Sequence, residues 1–121
     1  MAKRILVVDD SAAVRQSVSY VLDQAGYEIV QAVDGSDALT KLDGSPFHLV
    51  VTDVNMPNMD GIELTAKIRA TDDYKFTPIV VLTTESQSEK MNAGKEAGAT
   101  GWIVKPFNSD KLLQVVKRLA G

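Results

Sequence analysis

VVTDVNMPNMDG, residues 50–61, runs an apolar segment onto an aspartate and then breaks into a turn marked by Pro57 and Gly61. A segment this continuously apolar suits a strand buried on both faces, as in a parallel sheet covered by helices. The pattern recurs. ILVVDD (5–10) ends on acids, IVVLTTE (79–85) on threonines and GWIVKPF (101–107) on a lysine. Residues 5–8, 29–32, 49–51, 79–82 and 102–104 are therefore expected as strands, each bounded by Gly, Pro, Asp or Thr.

Helical spacing fills the intervals. Val14, Val18, Val21, Leu22 and Ala25 share one face after the capping pair Asp10-Ser11, and Gly26 stops the helix. A short helix is expected over 36–42, with Ala38, Leu39 and Leu42 inward. A third follows Asp60-Gly61 with Leu64 and Ile68, and a last one follows Asn108-Ser109 with Leu112, Val116, Leu119 and Ala120. Residues 86–97 make a weaker helix, because Gly94 costs ~1 kcal/mol relative to alanine in mid-helix. Such a helix is easily shifted. The resulting βαβα series requires right-handed crossovers and helices on both faces of the sheet.

Composition limits the function. The 121 residues, 45% hydrophobic and 24% charged, suit one domain with one core. The absence of cysteine excludes disulfides, thiolate nucleophiles and thiolate metal sites. A net charge of -3 and a pI near 5.0 argue against nucleic acid or an anionic membrane as partner. No apolar run approaches the ~18 residues of a membrane span, and the run at residues 5–8 falls short of the ~7–15 of a signal peptide. A cytoplasmic location is expected.

In an open parallel α/β sheet, ligands bind at the carboxyl ends of the strands. Asp9, Asp10, Asp53, Thr83 and Lys105 all fall at such ends, and they converge if the first, third, fourth and fifth strands are neighbours. Taken singly, an acid here could cap a helix and the lysine could pair with the acids. Together, two carboxylates ~4 Å apart repel by roughly 4 kcal/mol at an effective dielectric of 20, and a third makes a cation necessary. An all-oxygen ligand set points to magnesium, manganese or calcium, with magnesium the default because it shares its shell with phosphate. Lys105 then suits one phosphoryl oxygen and Thr83 another, while Asp53 is placed to be the nucleophile that forms an acyl phosphate. The Asn55 carbonyl could face the metal, and Lys105-Pro106 could be cis, although trans is the default for X-Pro.

These residues resemble the receiver domain of two-component response regulators, in its stand-alone chemotaxis-type (CheY-like) form. The resemblance rests on Asp9-Asp10, on Asp53 followed by MPNMDG, on Thr83 and on Lys105-Pro106-Phe107, and it covers essentially the whole chain. It implies a flavodoxin-like five-stranded parallel sheet of order 2-1-3-4-5 with five helices, an arrangement for which CheY itself is the standard example. It implies one receiver domain over 1–121 with no output domain. A histidine kinase is then the donor to Asp53, with Mg2+ (or Mn2+) held by Asp9, Asp10, Asp53 and the Asn55 carbonyl. Thr83 and Trp102 become the switch pair, Lys105 the phosphate-binding lysine and Pro106 a cis proline. Asn55 and Glu85 would tune the lifetime of the acyl phosphate, and Thr84, bulkier than the usual residue, could restrict access. Trp102 stands where Tyr or Phe is usual, either as a moving ring or as a fixed anchor.

The implied protein is a phosphoprotein rather than a classical enzyme, catalysing only its own phosphorylation and dephosphorylation. It would be a monomer when unphosphorylated and would signal to a partner such as a flagellar motor component. A phosphate sink or phosphorelay intermediate is the alternative. On phosphorylation Thr83 and Lys105 are expected to gain a partner they lack at rest, biasing the segment through residues 86–97 to Trp102. A haloacid-dehalogenase-like phosphatase would carry its nucleophile on the first strand and a second Asp two residues later, where Asn55 cannot protonate a leaving group. A flavin-binding protein needs a phosphate cradle after the first strand, and DDSAAVR puts two acids there. His48, the only histidine, and Met56 and Met59 are expected to have structural roles.

Overall fold

Helix starts in this chain are set by short polar side chains. Ser11, Asp34, Asp60 and Asn108 adopt extended backbone, and each side chain accepts a hydrogen bond from the amide three residues on. Such caps satisfy otherwise orphaned amides and typically contribute ~1 kcal/mol each. The computed structural model describes residues 3–84 and 88–121. In order they form β1 (Arg4–Val8), α1 (Ala12–Gln24), β2 (Glu28–Ala32), α2 (Gly35–Lys41), β3 (Leu49–Asp53), α3 (Gly61–Arg69), a 3-10 turn (Asp72–Tyr74), β4 (Ile79–Thr84), α4 (Ser88–Ala97), β5 (Gly101–Lys105) and α5 (Ser109–Ala120). The strands make one parallel sheet in the order β2-β1-β3-β4-β5.

Alternation along the strands sorts the core into two layers. Ile5, Val7, Leu49, Val51, Val80, Leu82 and Ile103 pack with α1 and α5 residues such as Leu22, Leu112 and Val116. Leu6, Val8, Val50, Ile79 and Val81 pack on the other face with Ala38, Leu64, Ile68 and Tyr74. Burying a large aliphatic side chain is worth ~1.5–3 kcal/mol, so two filled layers leave little freedom in register. All five residues of β3 are buried, as a central strand requires.

Observed strands outrun the apolar runs that announce them. β3 continues through Asp53, β4 through Thr84 and β5 through Lys105, because sheet pairing extends to polar residues that periodicity excludes. The 3-10 turn had no apolar period to mark it. Its Tyr74 is buried, donating its hydroxyl to Ser45 O at 2.8 Å and accepting from Gly44 N–H at 2.8 Å. Arg69, at the end of α3, donates to the carbonyls of Thr77 (2.6 Å) and Gly98 (2.9 Å), tying α3 to the segment before β4 and to the turn after α4. His48 accepts from Arg4 N–H through Nδ1 at 3.1 Å, at the end of the sheet away from the acids, which is a structural role.

Candidate functional site

Register brings the polar strand ends to one level. Val8 pairs with Thr52 and Asp53 with Leu82, so Asp9 and Asp53 lie side by side just past the last apolar layer. Thr83 pairs with Val104 one step further along. By alternation Asp9, Asp53 and Lys105 belong to the α1 and α5 side of the sheet, and Thr83 and Trp102 to the opposite side. Because Val81 pairs with Trp102, Thr83 and Trp102 lie two residues apart on the same face. Asp53 and Thr83 thus approach the carboxyl edge from the two faces of the sheet.

One carboxylate oxygen from each of Asp9, Asp10 and Asp53 lies within 4.8 Å of the others. Asp9 and Asp53 are buried and Asp10 is exposed. Lys105 reaches across β4 and places Nζ 2.9 Å from Asp53 Oδ1 and 3.9 Å from Asp9 Oδ2. The expectation that Lys105 lacks a partner at rest is therefore corrected: two uncompensated acids attract its ammonium before any phosphoryl group arrives. Thr83 does match it, since its buried Oγ1 has no hydrogen-bond partner. The Lys105-Pro106 bond is cis.

Burial pushes the Asp9 carboxyl above its ordinary value of 3.8. The Ser11 amide opposes this, Asp53 adds to it, Lys105 opposes it and Asp10 adds to it. A carboxyl raised in the folded state contributes stability that is fully present below 3.8 and is lost as pH rises through the raised value. At neutral pH ionised Asp9 is thus a burden on the ion-free fold. Asp9→Asn should raise the thermal midpoint at pH 7, with the gain fading as pH falls to 3.8. Magnesium should stabilise the native protein and leave this variant nearly unchanged; a lower midpoint for Asp9→Asn at pH 7 would contradict the burden.

The residues fit a hard divalent cation. Their donors are all oxygen, and Asp9 Oδ2 is buried without a hydrogen-bond partner, the kind of atom an ion would satisfy. Asn55 follows Asp53 in the exposed part of the loop. Met56 is buried in the adjoining core, and Met59 lies over Gly35 at the start of α2, both as packing residues. Trp102 is half-buried against the α2–α3 layer, with Lys95 Nζ 5.6 Å from its ring centre. Glu85 lies outside the described residues.

Sequence reasoning used Gly61 only as a helix start. Its amide donates to Val54 O at 2.9 Å, and a Cβ there would overlap the Asp53 backbone oxygen and lie 3.0 Å from the Asp53 carbonyl carbon. The absent side chain lets α3 begin directly against the loop that presents the acid. The signal was in the sequence, as a glycine at the first position of a helix, where residues with better helix propensity are otherwise preferred.

A doubly wound sheet with an acid cluster, a lysine and a threonine at its carboxyl edge gathers ligands for a hard cation and donors for an anion at one place. The chain belongs to the response regulator receiver domain family, whose sequence profile matches residues 5–117; it is a signalling regulator and not a classical enzyme. It is 40% identical to the chemotaxis protein CheY-3 of Vibrio cholerae, over 96% of this chain and 93% of that protein. The structure of Vibrio cholerae chemotaxis protein CheY4 superposes with a TM-score of 0.93 at 48% identity, over 98% of this chain and 99% of that one. The CAI-1 autoinducer sensor kinase/phosphatase CqsS of Vibrio cholerae is 39% identical over 94% of this chain, which spans 17% of that protein's length. Among the described residues no helix is long and apolar enough to cross a membrane.

Proposed function

We propose that this chain is a single-domain response regulator that accepts a phosphoryl group on Asp53 and converts it into a change of surface read by a partner protein. The observation that carries the reading is the Lys105 ammonium held 2.9 Å from Asp53, with the buried, unpartnered hydroxyl of Thr83 on the neighbouring strand, one residue past the Asp53 pair Leu82. The donor is a histidine kinase. An Asp53 carboxylate oxygen bonds to phosphorus as the phosphorus–nitrogen bond of a phosphohistidine breaks, and the electron pair leaves with the imidazole nitrogen. Asp9, Asp10, Asp53 and the Asn55 carbonyl would hold Mg2+, or Mn2+, which would supply neutralisation of charge on the transferring group. Lys105 exchanges its carboxylate contact for a phosphoryl oxygen, and the Thr83 hydroxyl donates to another.

Thr83 gains a hydrogen bond that it lacks at rest, and this differential contact is what biases two conformations. It shares a sheet face with Trp102, so its movement alters the packing of that ring and the surface formed by α4, β5 and α5. Asn55 and Glu85 tune how long the acyl phosphate lasts. The near full-length match to two chemotaxis proteins supports a receiver that acts by itself, with chemotaxis as the pathway and a flagellar motor component as the class of target. The chain acts in the cytoplasm, as a monomer before phosphorylation.

The test is the intact mass after incubation with acetyl phosphate, with and without Mg2+. One phosphoryl adduct that requires Mg2+ is expected. No adduct from a protein that demonstrably binds Mg2+ would leave the cluster as a cation site without phosphoryl chemistry.

A further inference from the structure

Asp9 is held at every polar atom but one. Its N–H donates to Ala32 O at 3.2 Å, its Oδ1 accepts from Ser11 N–H at 2.9 Å, and its backbone oxygen accepts from Arg15 Nη1 at 2.8 Å. Only Oδ2 lacks a hydrogen bond, and it faces the cluster. The same guanidinium donates through Nε to Gln31 Oε1 on β2 at 3.2 Å. One side chain therefore joins the first turns of α1, strand β2 and the carbonyl at which the chain passes from the buried acid to the exposed one.

We propose that Arg15 is a positioning residue of the cation site, fixing the peptide between Asp9 and Asp10 and with it the separation of their carboxylates. The inference rests on reading the acid cluster as a Mg2+ site. Three acids near one another repel, and the loop's easiest relief is to rotate that peptide and swing exposed Asp10 into water. Rotation would break the Arg15 bond to the Asp9 carbonyl. A planar guanidinium can hold that oxygen and Gln31 together, whereas a lysine ammonium offers a point charge without the fork. Arg15 touches neither Asp53 nor Lys105 in any hydrogen bond of the described residues, so its influence falls on the ion and not on the transfer.

Calorimetric titration with MgCl2 tests this on the full chain. Arg15→Met should weaken Mg2+ binding about tenfold, the scale on which partners of metal ligands act. Arg15→Lys should recover part of the loss, and Gln31→Leu, which removes one arm, should weaken binding less than Arg15→Met. At saturating Mg2+ the rate of phosphorylation by acetyl phosphate should stay within about twofold of native for each variant, splitting affinity from turnover. If Arg15→Met does not fold, the lysine and leucine variants decide the question by the same two readings. Unchanged Mg2+ affinity in the folded variants, or a rate at saturating Mg2+ that falls as far as the affinity, overturns the role of Arg15. Failure of the native protein to bind Mg2+ overturns the cation reading itself, and the inference with it.

Discussion

Asp53→Asn protein incubated with acetyl phosphate and Mg2+ should keep its unmodified mass under conditions expected to add one phosphoryl group to the native chain. The amide oxygen still accepts from Lys105, so the variant folds with the strand end intact, but a carboxamide is not the anionic nucleophile that an acyl phosphate requires. Asp9 cannot substitute for it. Asp9 is 1% exposed against 8% for Asp53, and its Oδ1 is already bound to the Ser11 amide. Asp10 is exposed and is the only other acid of the cluster that solvent-borne acetyl phosphate can reach. An adduct on Asp53→Asn would therefore relocate the acceptor to Asp10 and undo the roles assigned to Thr83 and to Lys105, which lies against Asp53.

Gly61→Ala should be the most damaging small substitution near the site. The new methyl would meet Asp53 backbone atoms that are bound into the sheet, where β3 pairs with β4 and cannot retreat without breaking the ladder. Either α3 backs away and loses the Gly61 N–H to Val54 O bond, or the loop carrying Asp53 shifts. Overpacking against side chains costs ~1–3 kcal/mol, and here the neighbour is backbone, so a loss of about 3–4 kcal/mol is expected. The helix propensity of alanine, better than glycine by ~1 kcal/mol, offsets only part of it. Urea denaturation would measure the loss, and the remaining folded protein should take up phosphate poorly because Asp53 has moved. Native stability in Gly61→Ala would show that α3 can slide freely, and that Gly61 does not position the acceptor.

Residue type and spacing were enough to read the strands, the helices α1, α3 and α5 with their caps, α2 without its cap Asp34, and the site acids. Each rests on a local rule: an apolar run means burial, a 3.6 period means one helix face, and Ser, Asp or Asn before it means a cap. The weak helix is real over Ser88–Ala97, Gly94 included, because packing against α3 outweighs a single propensity cost. The 3-10 turn at Asp72–Tyr74 escaped because a three-residue element has no period to detect, and its role comes from the buried Tyr74 hydroxyl and its two distant partners.

What the sequence by itself determined was which oxygen-bearing and cationic side chains stand at the carboxyl end of the sheet: Asp9, Asp10, Asp53, Thr83 and Lys105. Tertiary structure alone decided which of them were already partnered. That Lys105 lies against Asp53 and Asp9, that Thr83 Oγ1 is left with no hydrogen bond, that Arg15 grips the Asp9 carbonyl and that Gly61 must be bare all depend on distances between residues far apart in the chain. The reason is physical. Periodicity reports burial, a property each residue carries relative to its neighbours in sequence, whereas hydrogen bonds and charge pairing depend on ångström separations that exist only once the strands are in register.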